Sequence, residues 1–352
     1  MILRKKTKPV FIGPVQIGGD APVVVQSMTC TDTRNIEQTL RQIITLADAG
    51  CEIVRVAVPD REAAASFGKI RERSPVPLIA DIHFDYHLAI EAIKAGADGI
   101  RINPGNIKRE MMKEIAHAAG DKGIAIRIGV NAGSVEKDIL ASYGGPTTQA
   151  LVESAMRTVR FFEDLGFTAL KLSVKSSDVA TMVESYRALS NATEYPLHLG
   201  VTEAGGIVAS AIKSSIGIGM LLYEGIGDTI RVSITGDPVH EVAVAYGILR
   251  ALHVREVGPD IISCPTCGRC EFDVAGVLDE VEKRLSGMKT YMKIAIMGCP
   301  VNGPGEAAEA DIGIAGGRGT GLLFKKGKVV KRLKDKELVE TLIQEIRRIS
   351  GE

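Results

Sequence analysis

Tryptophan is absent from the chain, and aromatic residues together make up only 4% of it. A surface that binds single strands by stacking on bases needs such rings, so nucleic-acid recognition is disfavoured from the outset. An excess of either charge is lacking as well. Lys and Arg total 43 and Asp and Glu total 43, so no overall field recruits a polyanion, and any basic site has to be local. Long apolar runs are missing from the start of the chain. "MILRKKTKPVFIG" carries charge but nothing long enough for a signal peptide or a membrane span. The expectation is a cytoplasmic protein with neither membrane nor nucleic acid among its partners. In that compartment thiols stay reduced. The six cysteines then read as metal ligands or redox groups sooner than as disulfides.

What the chain does hold is a strand-then-helix rhythm. At 352 residues with 45% hydrophobic content, it exceeds one ordinary core, and a large domain plus a smaller one is expected. From residue 22 to about 252 the strand-like runs are "PVVVQSMT", "CEIVRVAVP", "PLIADIHF", "GIRINPG", "AIRIGVNAG", "ALKLSVKSS", "PLHLGVTEAG" and "TIRVSITG". Each is short, apolar or β-branched, and closed by Gly, Pro, Asn or Ser. Helical periodicity fills the intervals, as in 36–49, 149–165 and 238–252. Eight such units predict a (β/α)8 TIM barrel over residues 1–256. An open doubly wound sheet would carry a Gly-rich phosphate turn after its first strand, and "QSMTCTDT" is not one.

Residues 257–352 read as a smaller α+β domain. "PDIISCPTCGRCEFDVAGVLDEVEKRL" is a Cys-rich loop leading into a helix, and "MKIAIMGCPVNGPGEA" is a strand ending in a Gly/Pro loop. Further strands are expected in "ADIGIAGG" and in "TGLLFKKGKVVKRL", a hairpin turning at Lys326 and Gly327, before a terminal helix over 336–349.

Residues two apart on a strand point the same way, and the polar residues of the barrel runs keep that spacing. Asp81 and His83 form one such set, as do Arg101 and Asn103, Lys171 and Ser173, and Arg231 with Ser233. Arg127 and Asn131 are four apart, and Arg55 stands alone in "IVRVAVP". Buried charges are costly unless paired or serving a ligand, and cations on five strands outnumber the acids available to pair with them. Converging Arg and Lys predict a phosphate or diphosphate clamp at the C-terminal mouth, with the Asn and Ser residues orienting further oxygens. Glu203, just after the seventh strand, faces that mouth as a group able to handle protons. "DIHFDYH" imitates a metal site with Asp81, His83, Asp85 and His87. One strand at that spacing supplies only two ligands, however, and His87 opens the next helix.

Cys30 and Cys51 stand apart, Cys51 reading as a small buried residue. "CPTC" and the distant "GCP" loop bring three thiolates together, with Cys270 of "SCPTCGRC" a possible fourth. Zinc and iron–sulfur both suit thiolates. Tight loops whose N–H groups can face sulfurs lean toward iron–sulfur, but spacing leaves the choice open.

Together "VQSMT", "ADIHFDY", "RINPGN", "RIGVNAGS", "LHLGVTEAGG", "EGIGDTIRVS", "CPTCGR" and "NGPGEA" resemble, in order and over nearly the whole chain, the bacterial 4-hydroxy-3-methylbut-2-en-1-yl diphosphate synthase family. The resemblance implies a TIM barrel followed by a reductase-like domain with a [4Fe-4S] cluster, held by Cys264, Cys267, Cys299 and Glu306. A carboxylate is a harder and more exchangeable donor to iron than thiolate, so that corner can open to substrate oxygen. It implies ring-opening reductive dehydration of 2-C-methyl-D-erythritol 2,4-cyclodiphosphate, with ferredoxin or flavodoxin as electron donor. Glu203 takes the place of the family's active-site glutamate. The chain departs from the family's pattern at Cys270, where a non-cysteine residue is common, and at Cys30, where Asn is more usual. Cys270 is therefore expected not to be a ligand.

Barrel strands end at the active-site face and each following helix returns to the other. From the last helix, about ten residues lead to Cys264, reaching roughly 35 Å at most. A cluster domain so tethered covers its own barrel mouth with difficulty, and a head-to-tail homodimer, which the family is known to form, solves this. Two other readings compete: a pterin-synthase-like transferase with a structural zinc domain, and a cluster-bearing nucleic-acid sensor.

Overall fold

The eight apolar runs become parallel strands that close on themselves. The computed structural model describes residues 2–268, 270, 272–299 and 307–351, and the chain divides into two compact units, Met1–Arg255 and Glu256–Glu352.

The first unit opens with a hairpin of β1 (Val10–Ile12) and β2 (Val15–Ile17), with Ile12 opposite Val15 across the two-residue turn Gly13–Pro14. The barrel strands follow as β3 (Val24–Met28), β4 (Ile53–Ala57), β5 (Leu78–Asp81), β6 (Gly99–Ile102), β7 (Ala125–Asn131), β8 (Leu170–Lys175), β9 (His198–Leu199) and β10 (Thr229–Ile230). They neighbour one another in the order β8-β7-β6-β5-β4-β3-β10-β9, and a parallel bridge between Leu172 and Leu197 joins the two ends. Every residue of β5 and β6 is buried, as parallel strands covered on both faces require.

The helices are α1 (Ile36–Asp48), α2 (Arg61–Arg73), α3 (Tyr86–Lys94), α4 (Arg109–Lys122), a short α5 (Lys137–Tyr143), α6 (Thr148–Asp164), α7 (Val179–Ala192), α8 (Ile207–Tyr223) and α9 (Val239–Ala251). Their starts are written in the sequence. Side chains of Asn35, Asp60, Asp85, Thr147 and Asp178 each accept a backbone N–H at the head of α1, α2, α3, α6 and α7, satisfying donors that a helix otherwise leaves orphaned. Leu40, Ile43 and Leu46 then bury one stripe of α1.

The hairpin gives the barrel an apolar floor. Val10, Ile12 and Ile17 pack with Val24, Ile53, Ile79 and Ala125, residues at or next to the starts of β3, β4, β5 and β7. This plug is not predicted by the sequence of the opening stretch.

In the second unit, β11 (Pro259–Ser263), β12 (Met292–Met297) and β13 (Ile312–Ala315) run parallel, and β14 (Thr320–Lys325) and β15 (Lys328–Lys334) complete the sheet antiparallel in the order β11-β12-β13-β14-β15. Helices α10 (Val274–Arg284) and α11 (Asp335–Ser350) cover it, with Val281, Ile294, Ile312, Leu338 and Leu342 at the core. The expected hairpin turns at Lys326 and Gly327, both at positive φ. The stretch that the sequence predicts as the start of the Cys-rich loop forms strand β11.

Candidate functional site

Above the apolar floor, the inward positions of the barrel turn polar. Asp81, Arg101, Arg127 and Lys171 are consecutive cross-strand partners on β5, β6, β7 and β8. Asp81 sits between two guanidinium groups, 3.1 Å from Arg101 Nη1 and 3.5 Å from Arg55 Nε. Burial works to raise its pKa, but Arg55 and Arg101 prevail and hold it at about 2. Burial lowers Arg55 to about 10. It depresses Arg127 and Lys171 well below their ordinary ranges, with neighbouring cations adding to the effect.

These cations have donors to spare. Lys171 is 0% exposed, and among the described residues its Nζ has no hydrogen-bond partner; nor have Arg127 Nε and Nη1 or Arg101 Nε. Buried donors are ordinarily satisfied by protein, water or ligand, and the orphaned donors of Arg101 and Arg127, which line one cavity, call for an anion. The cavity at the mouth is lined by Arg55, Arg101, Arg127, Asn131, Ser173, Arg231 and Ser233, all anticipated from the sequence, and by Lys175 and Thr202, which were not. Lys175 lies two residues beyond Ser173, so the same alternation that singled out Lys171 could have found it. Two glycines make room for these side chains: an added Cβ would stand 2.8 Å from Arg101 Nε at Gly129 and 2.6 Å from Lys175 Nζ at Gly200.

Acids are better represented than the strand pattern indicated. Glu241 on α9 is buried and holds Arg231 through two contacts, at 2.8 Å to Nη2 and 3.2 Å to Nε. Ser27 Oγ donates to the same carboxylate at 2.7 Å, and the Ile234 N–H does so at 3.1 Å. A helix residue reaching between strands leaves no trace in strand alternation, which is why Glu241 escaped notice.

Of the other anticipated residues, Asp81, His83, Asn103, Lys171 and Glu203 lie off the cavity lining, whereas Asn131 is part of it. Strand β5 ends at Asp81, so His83 belongs to the loop beyond it, exposed, with Nε2 3.9 Å from Asp81 Oδ2. Asp85 caps α3 by accepting the His87 N–H at 2.9 Å. Asn103 Oδ1 accepts the Gly105 N–H at 3.3 Å, and Asn131 is engaged with Ser134 in a local turn. Glu203 is exposed and adopts φ 53°, in the left-handed region. A non-glycine residue held there is strained, a frequent feature of working sites.

In the second unit the cysteines follow the ends of two neighbouring parallel strands, Cys264 after β11 and Cys299 after β12. The Gly298 N–H points at Cys264 Sγ from 3.1 Å, and Cys270 donates its N–H to Cys267 O at 2.9 Å. An added Cβ on Gly298 would stand 2.6 Å from Cys270 Sγ and 3.4 Å from Cys264 Sγ, so both thiols face that glycine. Cys267 is exposed, and Cys264, Cys270 and Cys299 are half-buried. Among the described residues no three His, Cys, Asp or Glu side chains stand together as a metal site; Glu306 lies outside those residues. The donor set nevertheless suits an iron–sulfur cluster, with soft thiolates on adjoining loops and a backbone N–H directed at sulfur.

Family models agree with this two-part architecture: the GcpE TIM-barrel domain matches residues 7–246 and the GcpE protein C-terminal domain matches 260–348. The chain is 57% identical to a protein of Thermodesulfovibrio yellowstonii over 99% of this chain and 100% of the relative. It is 53% identical to one of Geobacter sulfurreducens over 99% of each. Both relatives are named 4-hydroxy-3-methylbut-2-en-1-yl diphosphate synthase (flavodoxin). Among solved structures, a Plasmodium falciparum HPPK-DHPS superposes with TM-score 0.51 at 9% identity, covering 70% of this chain and 50% of that one; the likeness is one of fold alone. With both family models matched and the relatives aligned end to end, the chain belongs to the GcpE family.

Proposed function

We propose that the chain is an iron–sulfur oxidoreductase that opens the ring of 2-C-methyl-D-erythritol 2,4-cyclodiphosphate and releases 4-hydroxy-3-methylbut-2-enyl diphosphate. Two electrons and two protons enter, one C–O bond to the diphosphate breaks, and one water leaves. The observation that carries this reading is the barrel cavity, whose arginine and lysine lining and unsatisfied donors on Arg101 and Arg127 suit a diphosphate in charge. Arg55, Arg127, Lys175 and Arg231 bind the phosphoryl oxygens, with Ser173 and Ser233 beside them. Asp81 fixes Arg55 and Arg101, and Arg101, Asn103, Asn131, His83 and Lys171 complete the surroundings of the substrate. Glu203 holds or delivers a proton at the substrate's hydroxyl end.

Cys264, Cys267, Cys299 and Glu306 would hold a [4Fe-4S] cluster, which supplies electrons one at a time. Flavodoxin, the donor in the relatives' names, is the donor we favour over ferredoxin. We assign the protein to the cytoplasm; among the described residues no helix is long and apolar enough to cross a membrane. We further propose a head-to-tail homodimer, a reading supported by an exposed apolar stripe on α8 formed by Val208, Ile212, Ile216 and Met220.

Anaerobic purification followed by absorbance, iron and sulfide assays, and product formation from the cyclodiphosphate tests the reading. A brown protein with about four irons per chain and turnover under a strong reductant is expected. A colourless, zinc-loaded protein would sink it. Cys299→Ser is expected to lose the iron, whereas Cys270→Ser keeps it; equal loss in both would show the ligand set to be wrong.

A further inference from the structure

The reading above needs a reductant to arrive from outside, and β15 has the character of a landing place. It is the last strand of its sheet. The strand, the turn before it and the helix after it expose Lys326, Lys328, Lys331, Arg332, Lys334 and Lys336. Among the described residues none of the six forms an ion pair, in contrast to Lys325, held by Glu345 at 2.6 Å. Asp335 and Glu337, in the first turn of α11, are the acids closest in sequence, too few to neutralise the edge. Val329 and Val330, 50% and 56% exposed, lie bare among the cations. Lysines on an edge strand also prevent unwanted strand pairing. A strand protected for that reason alone would have little cause to display two valines in its first half.

The edge shares one end of the sheet with the cysteines. Met297, Ala315, Leu322 and Arg332 form one row across β12, β13, β14 and β15. Three strand spacings put Arg332 about 14 Å from Met297, which precedes Cys299 by two residues. A small apolar centre ringed by unpaired charge suits a brief encounter, in which electrostatics governs arrival and the interface stays small enough to release.

We propose that the cationic edge of β15 is the docking surface for an acidic one-electron carrier protein. The inference rests on the reading that the cysteine domain is redox-active. Two carriers, each oxidised by one electron, dock in turn for every ring opened; of the two protons that solvent supplies, one joins the departing hydroxyl to leave as water and the other balances the diphosphate oxygen freed from carbon.

The test uses the full-length holoenzyme under anaerobic conditions, with Lys328→Glu, Lys331→Glu and Lys334→Glu combined. Reduced flavodoxin and dithionite-reduced methyl viologen serve as alternative donors. The KM for flavodoxin should rise about tenfold or more at low salt, while the viologen-driven rate stays within about twofold. Wild-type kcat/KM for flavodoxin should fall with ionic strength, and that of the variant should be nearly flat. An unchanged flavodoxin KM, with viologen activity retained, would overturn the proposal. So would tight binding of an oligonucleotide to this edge that leaves flavodoxin turnover untouched. If the reversed-charge protein does not fold, the glutamine triple variant and a titration of oxidised flavodoxin followed by NMR report docking without turnover; equal affinity for both proteins refutes it. A wild type without iron and inactive with either donor would instead sink the underlying redox reading.

Discussion

Asp81 shows how a single carboxylate can arrange a cationic site. Its pKa of about 2 in the folded protein lies below the ordinary value of 3.8, so between those two pH values the unfolded chain binds more protons than the native one. Stability therefore rises with pH through this window. The contribution is fully present above about pH 4 and is lost as pH falls through about 2, amounting to about 2 kcal/mol for this shift. Asp81→Asn should flatten the dependence of unfolding free energy on pH below about pH 4, as followed by guanidinium denaturation. It should also lower stability at neutral pH, where Arg55 and Arg101 lose their shared counter-ion. A variant with wild-type slope would mean that the carboxylate is not ionised by these partners. Glu241 makes a complementary case. Glu241→Ala strands Arg231, and breaking a buried pair in this way costs about 3–5 kcal/mol. Glu241→Gln keeps part of the hydrogen bonding and should cost less. If Arg231 binds substrate through the geometry that Glu241 gives it, KM rises more than kcat falls in the glutamine variant; equal effects on both would refute a positioning role. The residues on strands were legible because alternation places them, down to Arg55 alone in its run. Glu241 was not, because its contact depends on where helix α9 meets the barrel, a tertiary fact that no local spacing encodes.

At the scale of elements, the eight runs gave eight strands in the expected order, since each combines apolar residues with a Gly, Pro, Asn or Ser stop. Their lengths were less legible. Strands β9 and β10 hold two residues each, although the runs that contain them are far longer, and His83 fell outside β5 for the same reason. Strand ends depend on where neighbouring chains cease to pair, which the apolar pattern does not record. The β1–β2 hairpin escaped because a charged lead-in obscured the alternation of "VFIGPVQI". Its packing nevertheless makes it part of the core: Ile12 is 2% and Ile17 0% exposed. Ile17→Ala should destabilise the barrel by about 2–5 kcal/mol through lost burial and the cavity left behind. Thermal unfolding followed by circular dichroism would register this as a lowered midpoint. A change under about 0.5 kcal/mol, the range of ordinary surface substitutions, would mean that the hairpin is an appendage and not a floor.

For the whole molecule, the question is how many chains make one working enzyme. The short tether to Cys264 calls for a partner chain, and α8 supplies a surface that fits one. Val208, Ile212, Ile216 and Met220 recur every four residues, with Tyr223 beyond them, and all five are exposed. Lys213 is the one charged side chain within α8. A helix with this much uncovered apolar surface is a poor fit to a monomer in water, where contiguous exposed apolar patches mark interaction sites. In a two-fold interface the same patch appears on both chains, so one substitution acts twice. Ile212→Glu combined with Ile216→Glu brings like charges together in an apolar setting, a cost of several kcal/mol, and should weaken self-association by about 100-fold or more. Sedimentation velocity across a dilution series would show a dimer giving way to a monomer at concentrations where the wild type stays associated. If the cysteine domain holds the proposed cluster, the variant, which leaves that domain untouched, should still be brown. If each cluster domain works on its partner's barrel, turnover falls in step with the dimer fraction and recovers as protein concentration rises. A monomer with full turnover at every dilution would eliminate the shared-site arrangement. A variant that remains dimeric would move the interface off α8 and leave that arrangement standing.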